Sequence, residues 1–222
     1  KIELITNGTL LNEKLNISLI NAGLDTIRIS LQGCNAKKYH KITNSTINFE
    51  KFIKNIKHFY NNKKNCKVHL KIINDGLNNI NEFHNVYDNM YDEFSVQCIV
   101  TLYNKYVNYE NLNNNLNIYG EKKENIYVCS RPFMSLSIST NGNVIPCCQE
   151  TLSDIIIGNI NTESLIDIWN GEKMKLIRLS HLTKQKFKYE TCKHCHQPND
   201  LTYKEDILDD HINDILKHYE VK

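Results

Sequence analysis

Four of the eight cysteines place the strongest constraint on this chain, because their spacing is typical of a metal site. Cys192 and Cys195 form a Cys-x-x-Cys pair, while Cys129 and Cys147 flank a segment whose first part, residues 133–140, alternates apolar and small polar side chains. An Asn-Gly pair at 141–142 suits a tight type I′ turn, so the segment predicts a β-hairpin with both flanking cysteines at one end. Four thiolates are the usual ligand set of one iron–sulfur cluster or one structural zinc ion, and the ligand type alone fits either.

The other cysteines have simpler interpretations, because cysteine without a partner is among the most buried residue types. Cys66 and Cys98 lie in or beside apolar runs that look like strands. Cys148 follows Cys147 in the predicted strand, so its side chain is expected on the opposite face. Cys34 follows a glycine in a loop, where packing and a site role fit equally well. Three histidines near the four cysteines in sequence are alternative ligands: His181, His194 and His196.

Composition excludes several classes of partner. The net charge of +2 gives no electrostatic argument for a nucleic-acid or membrane partner, and a local group of lysines between 184 and 193 fits a solvated face. No apolar run is long enough to span a bilayer and no signal peptide opens the chain. Eight cysteines in that context indicate a reducing, cytoplasmic compartment and metal or redox use rather than disulfides. The chain opens at Lys1 on a strand without an initiator Met, so we expect a fragment.

The first half of the chain alternates strand and helix patterns. Strands are predicted over residues 1–5, 25–31, 66–73 and 94–101, and helices over 10–22, 36–42, 49–59 and 80–91. This order predicts parallel βαβ units, in which ligands bind at the carboxyl ends of the strands. The polar residues at those ends are Thr6, Asn7, Gly8, Ser30, Gln32, Lys71 and Asn74.

The second half begins with an Asn-rich stretch, residues 105–125, which we interpret as a linker with a short strand over 116–119. After the hairpin, a helix capped by Asn161 or Thr162 is predicted to run through Trp169, a core residue. Gly171 separates it from a second helix over 172–182. An amphipathic helix is predicted over 206–221.

The cysteine pattern resembles the C-terminal twitch and SPASM domains of radical S-adenosylmethionine (radical SAM) enzymes, which bind auxiliary 4Fe–4S clusters. The matching positions are Cys129, the turn at 141–147, the segments 158–160 and 165–170, Arg178, Cys192 and Cys195. A full SPASM domain carries further cysteines for a second cluster. This chain has too few after Cys129, so the single-cluster twitch form fits better.

The strand ends extend this resemblance to the partial barrel of the same family. Residues 6–8 look like its third strand and residues 28–33 like its fourth, where a serine commonly contacts the methionine or ribose of SAM. Lys71 falls where a basic or polar residue often meets the SAM carboxylate. The resemblance thus implies SAM contacts from Asn7, Ser30 and Lys71. The family usually has Asp where Gln32 stands, so a role that needs a charge there is not expected.

The family's CxxxCxxC loop, which holds the catalytic 4Fe–4S cluster, and its Gly-Gly-Glu element are absent from this chain. Both would precede Lys1, so the resemblance implies the later part of such an enzyme. The expected fold is α/β: the C-terminal portion of a partial (β/α)6 barrel with about four parallel strands, followed by a small twitch-type hairpin-plus-helix metal-binding domain. The expected domains are residues 1–104 (partial barrel), 105–128 (linker), 129–200 (auxiliary cluster) and 201–222 (C-terminal helix).

The resemblance also implies a function. In the family a reduced 4Fe–4S cluster cleaves SAM to a 5′-deoxyadenosyl radical, which abstracts hydrogen from the substrate. We therefore expect the parent protein to be an oxidoreductase or maturase acting on a sugar, alcohol or peptide side chain, supplied with electrons by a flavodoxin or ferredoxin. This chain alone is expected to be inactive. The alternative is a non-catalytic module in which the four cysteines hold zinc or an iron–sulfur cluster.

Overall fold

The computed structural model describes residues 1–100, 115–148 and 155–220, which divide into two compact units, Lys1–Ile99 and Val100–Lys222. Residues 101–114, which include the first ten residues of the predicted linker, lie outside the described residues. The strand predicted over 116–119 is reduced to a single antiparallel bridge between Leu116 and Lys122. No described helix combines the length and the apolar character that crossing a bilayer requires.

The first unit is built on a four-stranded parallel sheet, which confirms the predicted α/β fold with four parallel strands. Its strands, in spatial and sequence order, are β1 (Glu3–Thr6), β2 (Thr26–Leu31), β3 (Lys67–Ile73) and β4 (Glu93–Gln97). The connecting helices are α1 (Glu13–Asn21), α2 (Ala36–Thr43), α3 (Phe49–Asn62) and α4 (Ile80–Tyr87).

Asparagine starts each of these four helices. Its side-chain oxygen accepts a hydrogen bond from the backbone N–H three residues on, which satisfies one of the donors that a helix N-terminus leaves unpaired. The capping residues are Asn12, Asn35, Asn48 and Asn79. Helix α4 ends at Tyr87 rather than at the predicted residue 91, because Asp88 is extended and Asn89 adopts a left-handed φ of 58°.

The two faces of the sheet differ in polarity, as the period of two along a strand requires. On one face, alternate apolar side chains of β2 and β3 are buried against the helices: Ile27, Ile29, Leu31, Val68, Leu70 and Ile72. The intervening positions are half-buried and polar: Arg28, Ser30, His69 and Lys71. The second face is therefore the one that can receive a polar ligand.

The second unit contains a small antiparallel sheet with helices around it. Its strands are β5 (Ser137–Ile138), β6 (Asn143–Ile145) and β7 (Gly158–Asn159). Its helices are α5 (Arg131–Met134), α6 (Leu165–Asn170), α7 (Glu172–Leu182), α8 (Glu190–His194), α9 (Gln197–Leu201) and α10 (Ile212–Glu220). Their shared core is Val144, Ile155, Ile157, Ile168, Met174 and Ile177.

The predicted hairpin exists, but its outgoing strand and its turn differ from the prediction. Phe133 belongs to α5, and β5 is only two residues long. Asn141 does not adopt the positive φ that a type I′ turn demands, whereas Gly142 does, at 85°. The N–H of Gly142 donates to the carbonyl of Ser139 at 2.9 Å, and the N–H of Ser139 donates to Asn143 at 2.8 Å. This is a three-residue loop, a type I turn followed by a left-handed glycine.

Two helix starts also differ from the prediction. Helix α6 is capped by Ser164, whose hydroxyl accepts the N–H of Asp167, rather than by Asn161 or Thr162. The last helix begins at Ile212 instead of residue 206. Before it, the carboxylate of Asp209 accepts the backbone N–H groups of Tyr127 and Val128, which holds this segment in short 3-10 turns instead of a continuous helix.

Candidate metal centre

One cavity of the second unit brings together the four cysteines predicted as ligands: Cys129, Cys147, Cys192 and Cys195. About 430 Å³ of space inside it is not filled by any atom, its open mouth included. Cys129 lies two residues before α5, Cys147 lies two residues after β6, and the other two come from α8 and its C-terminal end. Three separate segments therefore meet around one cavity.

Burial dominates the electrostatics of these thiols. Burial, together with the neighbouring thiolates of Cys147 and Cys195, raises the pKa of Cys129 to about 12. The pKa of Cys192 is also raised by burial, and then by Cys147, Cys129 and Cys195. At neutral pH these groups are thiols, so a metal that binds them as thiolates must displace protons. The mutual influence of the four groups reflects their closeness in space.

Four thiols meet the donor requirement of either one zinc ion or one 4Fe–4S cluster. Within the described residues, no group of three or more His, Cys, Asp or Glu side chains is arranged to hold one metal ion. One tetrahedral zinc would need its sulfurs roughly 3.8 Å apart, since each lies about 2.3 Å from the metal. The four thiols line the cavity walls, and in a 4Fe–4S cluster each cysteine binds a different iron. The donor set therefore has the type and number that a cluster needs.

The remaining cysteines lie elsewhere. Cys148 is exposed and does not line the cavity, although its charge contributes to the raised pKa of Cys195. Both Cys147 and Cys148 follow the end of β6, so strand alternation does not explain their different positions. Cys34 and Cys66 are packed in the core of the first unit, and burial raises the pKa of Cys34 to about 11.

The cavity wall also carries polar residues that the sequence did not single out as a group. His181 is 2% exposed, and neither ring nitrogen has a hydrogen-bond partner among the described residues. Burial, and then the charge of Lys186, lowers its pKa to about 4. Lys186 and Gln197 line the same cavity, and the backbone N–H of Gln197 donates to Cys195 Sγ at 3.4 Å.

The other two candidate histidines do not line this cavity. His194 Nε2 lies 3.2 Å from Glu190 Oε1, and His196 lines an adjoining surface groove that shares Lys186 and Cys195 with the cavity. A signal for His181 was present in the sequence. It shares the buried face of α7 with Met174 and Ile177, so it is a polar residue on an apolar stripe.

Arg178 connects the cavity wall to the helices behind it. Its Nε donates to the carbonyl of Pro132 at 2.8 Å, and its Nη1 donates to the carbonyl of Trp169 at 3.0 Å. The guanidinium also stacks over the Trp169 ring, 4.1 Å from its centre. Pro132 lines the cavity three residues after Cys129, so Arg178 fixes the segment that carries this thiol.

The three predicted SAM contacts lie in the first unit, near the carboxyl ends of its strands. Ser30 and Lys71 are direct neighbours in the β2–β3 register. Burial, and then the charge of Arg28, lowers the pKa of Lys71. Asn7 follows β1 but is exposed, and its side chain accepts hydrogen bonds from the N–H and hydroxyl of Thr9. The structure therefore pairs Ser30 with Lys71 and leaves Asn7 in a local turn.

Comparisons with known proteins match both units. Residues 1–88 match the model of the radical SAM superfamily, and residues 129–196 match that of the SPASM iron–sulfur cluster-binding domain. The S-adenosyl-L-methionine-dependent 2-deoxy-scyllo-inosamine dehydrogenase of Niallia circulans is 29% identical over 79 residues, which are 32% of this chain and 32% of that protein.

Two solved structures share the fold. Streptococcus suis SuiB has a TM-score of 0.61 at 16% identity, over 90% of this chain and 60% of SuiB. BtrN in complex with AdoMet and 2-DOIA has a TM-score of 0.50 at 16% identity, over 90% of this chain and 61% of BtrN. The chain thus spans about three fifths of the length of these structures. The first unit thus matches the radical SAM superfamily, and the second unit matches the SPASM iron–sulfur cluster-binding domain.

Proposed function

We propose that this chain is part of a radical SAM oxidoreductase or maturase that abstracts hydrogen from a sugar, alcohol or peptide side chain. The observation that carries the proposal is the meeting of four thiols around one cavity in the unit that matches the SPASM domain. The substrate classes are supported by the relatives' names. The Niallia circulans relative is a SAM-dependent dehydrogenase of an inosamine, and SuiB has been solved with the precursor peptide SuiA.

In this proposal the four cysteines hold one auxiliary 4Fe–4S cluster: Cys129, Cys147, Cys192 and Cys195. A cluster bound there by all four cysteines would supply a site that can accept an electron. The protein's part is to deliver four thiolates in a pocket from which bulk water is largely excluded. The raised thiol pKa values imply that loading releases protons, and Lys186 on the same wall offsets part of the negative charge that the thiolates bring.

For SAM, we propose that Lys71 binds the carboxylate of the methionine moiety while the neighbouring Ser30 hydroxyl contacts the methionine or ribose. Lys71 is a half-buried cation on the polar face of the sheet, with no ion-pair partner among the residues that the structure describes. Its lowered pKa reflects lost hydration, which an anion would replace. Asn7 is proposed as a third contact through its side-chain NH₂, since its oxygen already accepts two hydrogen bonds from Thr9.

The catalytic cluster is proposed to be held by residues outside these 222, because no CxxxCxxC motif occurs among them. A flavodoxin or ferredoxin is proposed as the electron donor. In this scheme the 222 residues provide the SAM-facing strands and the auxiliary centre.

Iron and acid-labile sulfide analysis of the anaerobically reconstituted chain tests the cluster assignment. We expect about four irons per chain and the broad visible absorption of a 4Fe–4S centre. Alanine at any one of the four cavity cysteines should reduce iron retention strongly, since each thiolate holds one iron. Cys66→Ala and Cys148→Ala are matched controls that should retain it. One zinc per chain, or full iron in the cavity variants, would contradict the proposal.

A further inference from the structure

His181 presents a buried imidazole to the cavity of the four cysteines. Its side chain is 2% exposed, it lines that cavity, and both ring nitrogens are without hydrogen-bond partners among the described residues. A buried polar group without a partner is costly, because it has lost its bonds to water. Since Met174 and Ile177 hold the same face of α7, an apolar side chain would fit the helix packing at 181. The imidazole is therefore available to form a hydrogen bond with a group that binds in the cavity.

We propose that His181 is a positioning residue that donates a ring N–H hydrogen bond to a sulfur of the cluster and thereby raises its reduction potential. This inference rests on the proposed function, since it needs a cluster on the four cysteines. Four thiolates already provide one ligand for each of four irons, so the imidazole is left to act on sulfur. An imidazole carries at least one N–H in any protonation state, so the donor does not depend on pH.

The same wall offers other groups that favour negative charge. The backbone N–H of Gln197 donates to Cys195 Sγ at 3.4 Å. Lys186 lines the cavity, and its charge acts on Cys129, Cys192 and Cys195. His181 thus completes a wall of donors and positive charge around the thiolates.

The sign of the effect follows from charge. Reduction adds one electron to the cluster, and an N–H donor binds the more negative sulfur more strongly. The hydrogen bond therefore stabilises the reduced state more than the oxidised state, and its loss lowers the potential. Hydrogen bonds to the sulfurs are among the factors that set the potentials of iron–sulfur clusters.

Two variants of the full 222-residue chain test this. His181→Leu removes every donor, while His181→Gln keeps a side-chain N–H. Each is reconstituted anaerobically, analysed for iron and sulfide, and titrated with reductant under EPR detection to obtain the midpoint potential. His211→Gln, an exposed histidine of the same unit, is the control. We expect unchanged iron in all variants, a more negative potential in His181→Leu, a smaller shift in His181→Gln, and none in the control.

The reduction potential distinguishes the proposed role of His181 from a purely structural one. A change in packing alone would alter stability and leave the reduction potential unchanged. An unchanged potential in His181→Leu overturns the inference. Loss of iron in both His181 variants also overturns it, since His181 would then be a ligand. If the unmodified chain assembles no cluster, both the proposed function and this inference are wrong. If the cluster assembles and its potential does not change in the His181 variants, only this inference is wrong.

Discussion

Replacing Arg178 by lysine should destabilise the second unit, because lysine keeps the charge but cannot make the same pair of hydrogen bonds. The guanidinium donates from two nitrogens to the carbonyls of Pro132 and Trp169 and stacks on the indole ring. Arg178 is 7% exposed, so water cannot replace a lost donor easily. A lysine ammonium is a point charge without the planar fork, and we expect it to reach one of the two carbonyls.

The expected loss of stability follows from the interactions of Arg178 that lysine cannot make. One hydrogen bond from a charged donor contributes about 1.5–3 kcal/mol, and the buried carbonyl it leaves has no partner. The weakened contact with the indole ring adds about 0.5–1 kcal/mol. Nη2 of Arg178 has no hydrogen-bond partner among the described residues, so its removal offsets part of this loss. We expect a net decrease of about 2–3 kcal/mol in the free energy of unfolding of this unit.

Tryptophan fluorescence provides the assay, since Trp169 is the single tryptophan of the chain and lies in the second unit. With a urea dependence of about 1–3 kcal/mol per molar, the midpoint of the fluorescence transition should fall by about 0.7–3 M. Arg131→Lys, a half-buried arginine of α5, is the matched control and should change stability by less than about 0.5 kcal/mol. A midpoint for Arg178→Lys within about 0.3 M of the unmodified chain would refute the reasoning.

Three further predictions concern activity and the first unit. With SAM and a strong reductant, the purified 222-residue chain should form no 5′-deoxyadenosine, as chromatography can establish; its appearance would show that the CxxxCxxC loop is dispensable. Tyr87→Phe removes the buried bond from the Tyr87 hydroxyl to the carbonyl of Gly33, 2.7 Å long, and should cost about 1–2 kcal/mol in urea unfolding followed by circular dichroism; equal stability would mean that the bond contributes nothing. The hydrogen bond from Lys38 lowers the pKa of Glu82, so its stabilisation is present above the unfolded pKa and lost as pH falls through the folded one. Glu82→Gln should therefore lower stability by about 1 kcal/mol at pH 7 and by nothing in strong acid, and a pH-independent difference would argue against the ion pair.

The fold of the first unit could be predicted because its signals are local. Alternation of buried and polar residues sets each strand, and apolar periodicity sets each helix. The hairpin turn was predicted wrongly because its geometry depends on residues far along the chain. The side chains of Asn159 and Asn161 donate to the carbonyl of Asn141, and this contact with the β7 region favours the three-residue loop. An Asn-Gly pair is compatible with both turns, so the local sequence does not decide between them.

For the candidate centre, cysteine spacing was sufficient to predict which four thiols would meet. The surrounding wall was not predictable in the same way. Lys186 begins a short 3-10 helix before Cys192, and Gln197 begins a short helix after Cys195; neither element is long enough for periodicity to fix a direction. Arg178 was recognised from a resemblance, but its bonds to Pro132 and Trp169 exist only after α5, α6 and α7 have packed together. The spacing of the four cysteines can be read from the sequence, whereas the wall around them arises only in tertiary structure.

The asparagine caps have a consequence for how the protein ages. Slow hydrolysis of a cap amide gives a carboxylate, which still accepts the helix N–H and adds a negative charge where the helix dipole favours it by about 0.3–1 kcal/mol. The four caps of the first unit should therefore tolerate deamidation. Asn16 and Asn55 are different, because their buried NH₂ groups donate to the carbonyls of Asn55 and Leu11. A carboxylate there has no proton to donate, so the same change at either position would remove a buried hydrogen bond that joins α3 to α1 and the segment before it.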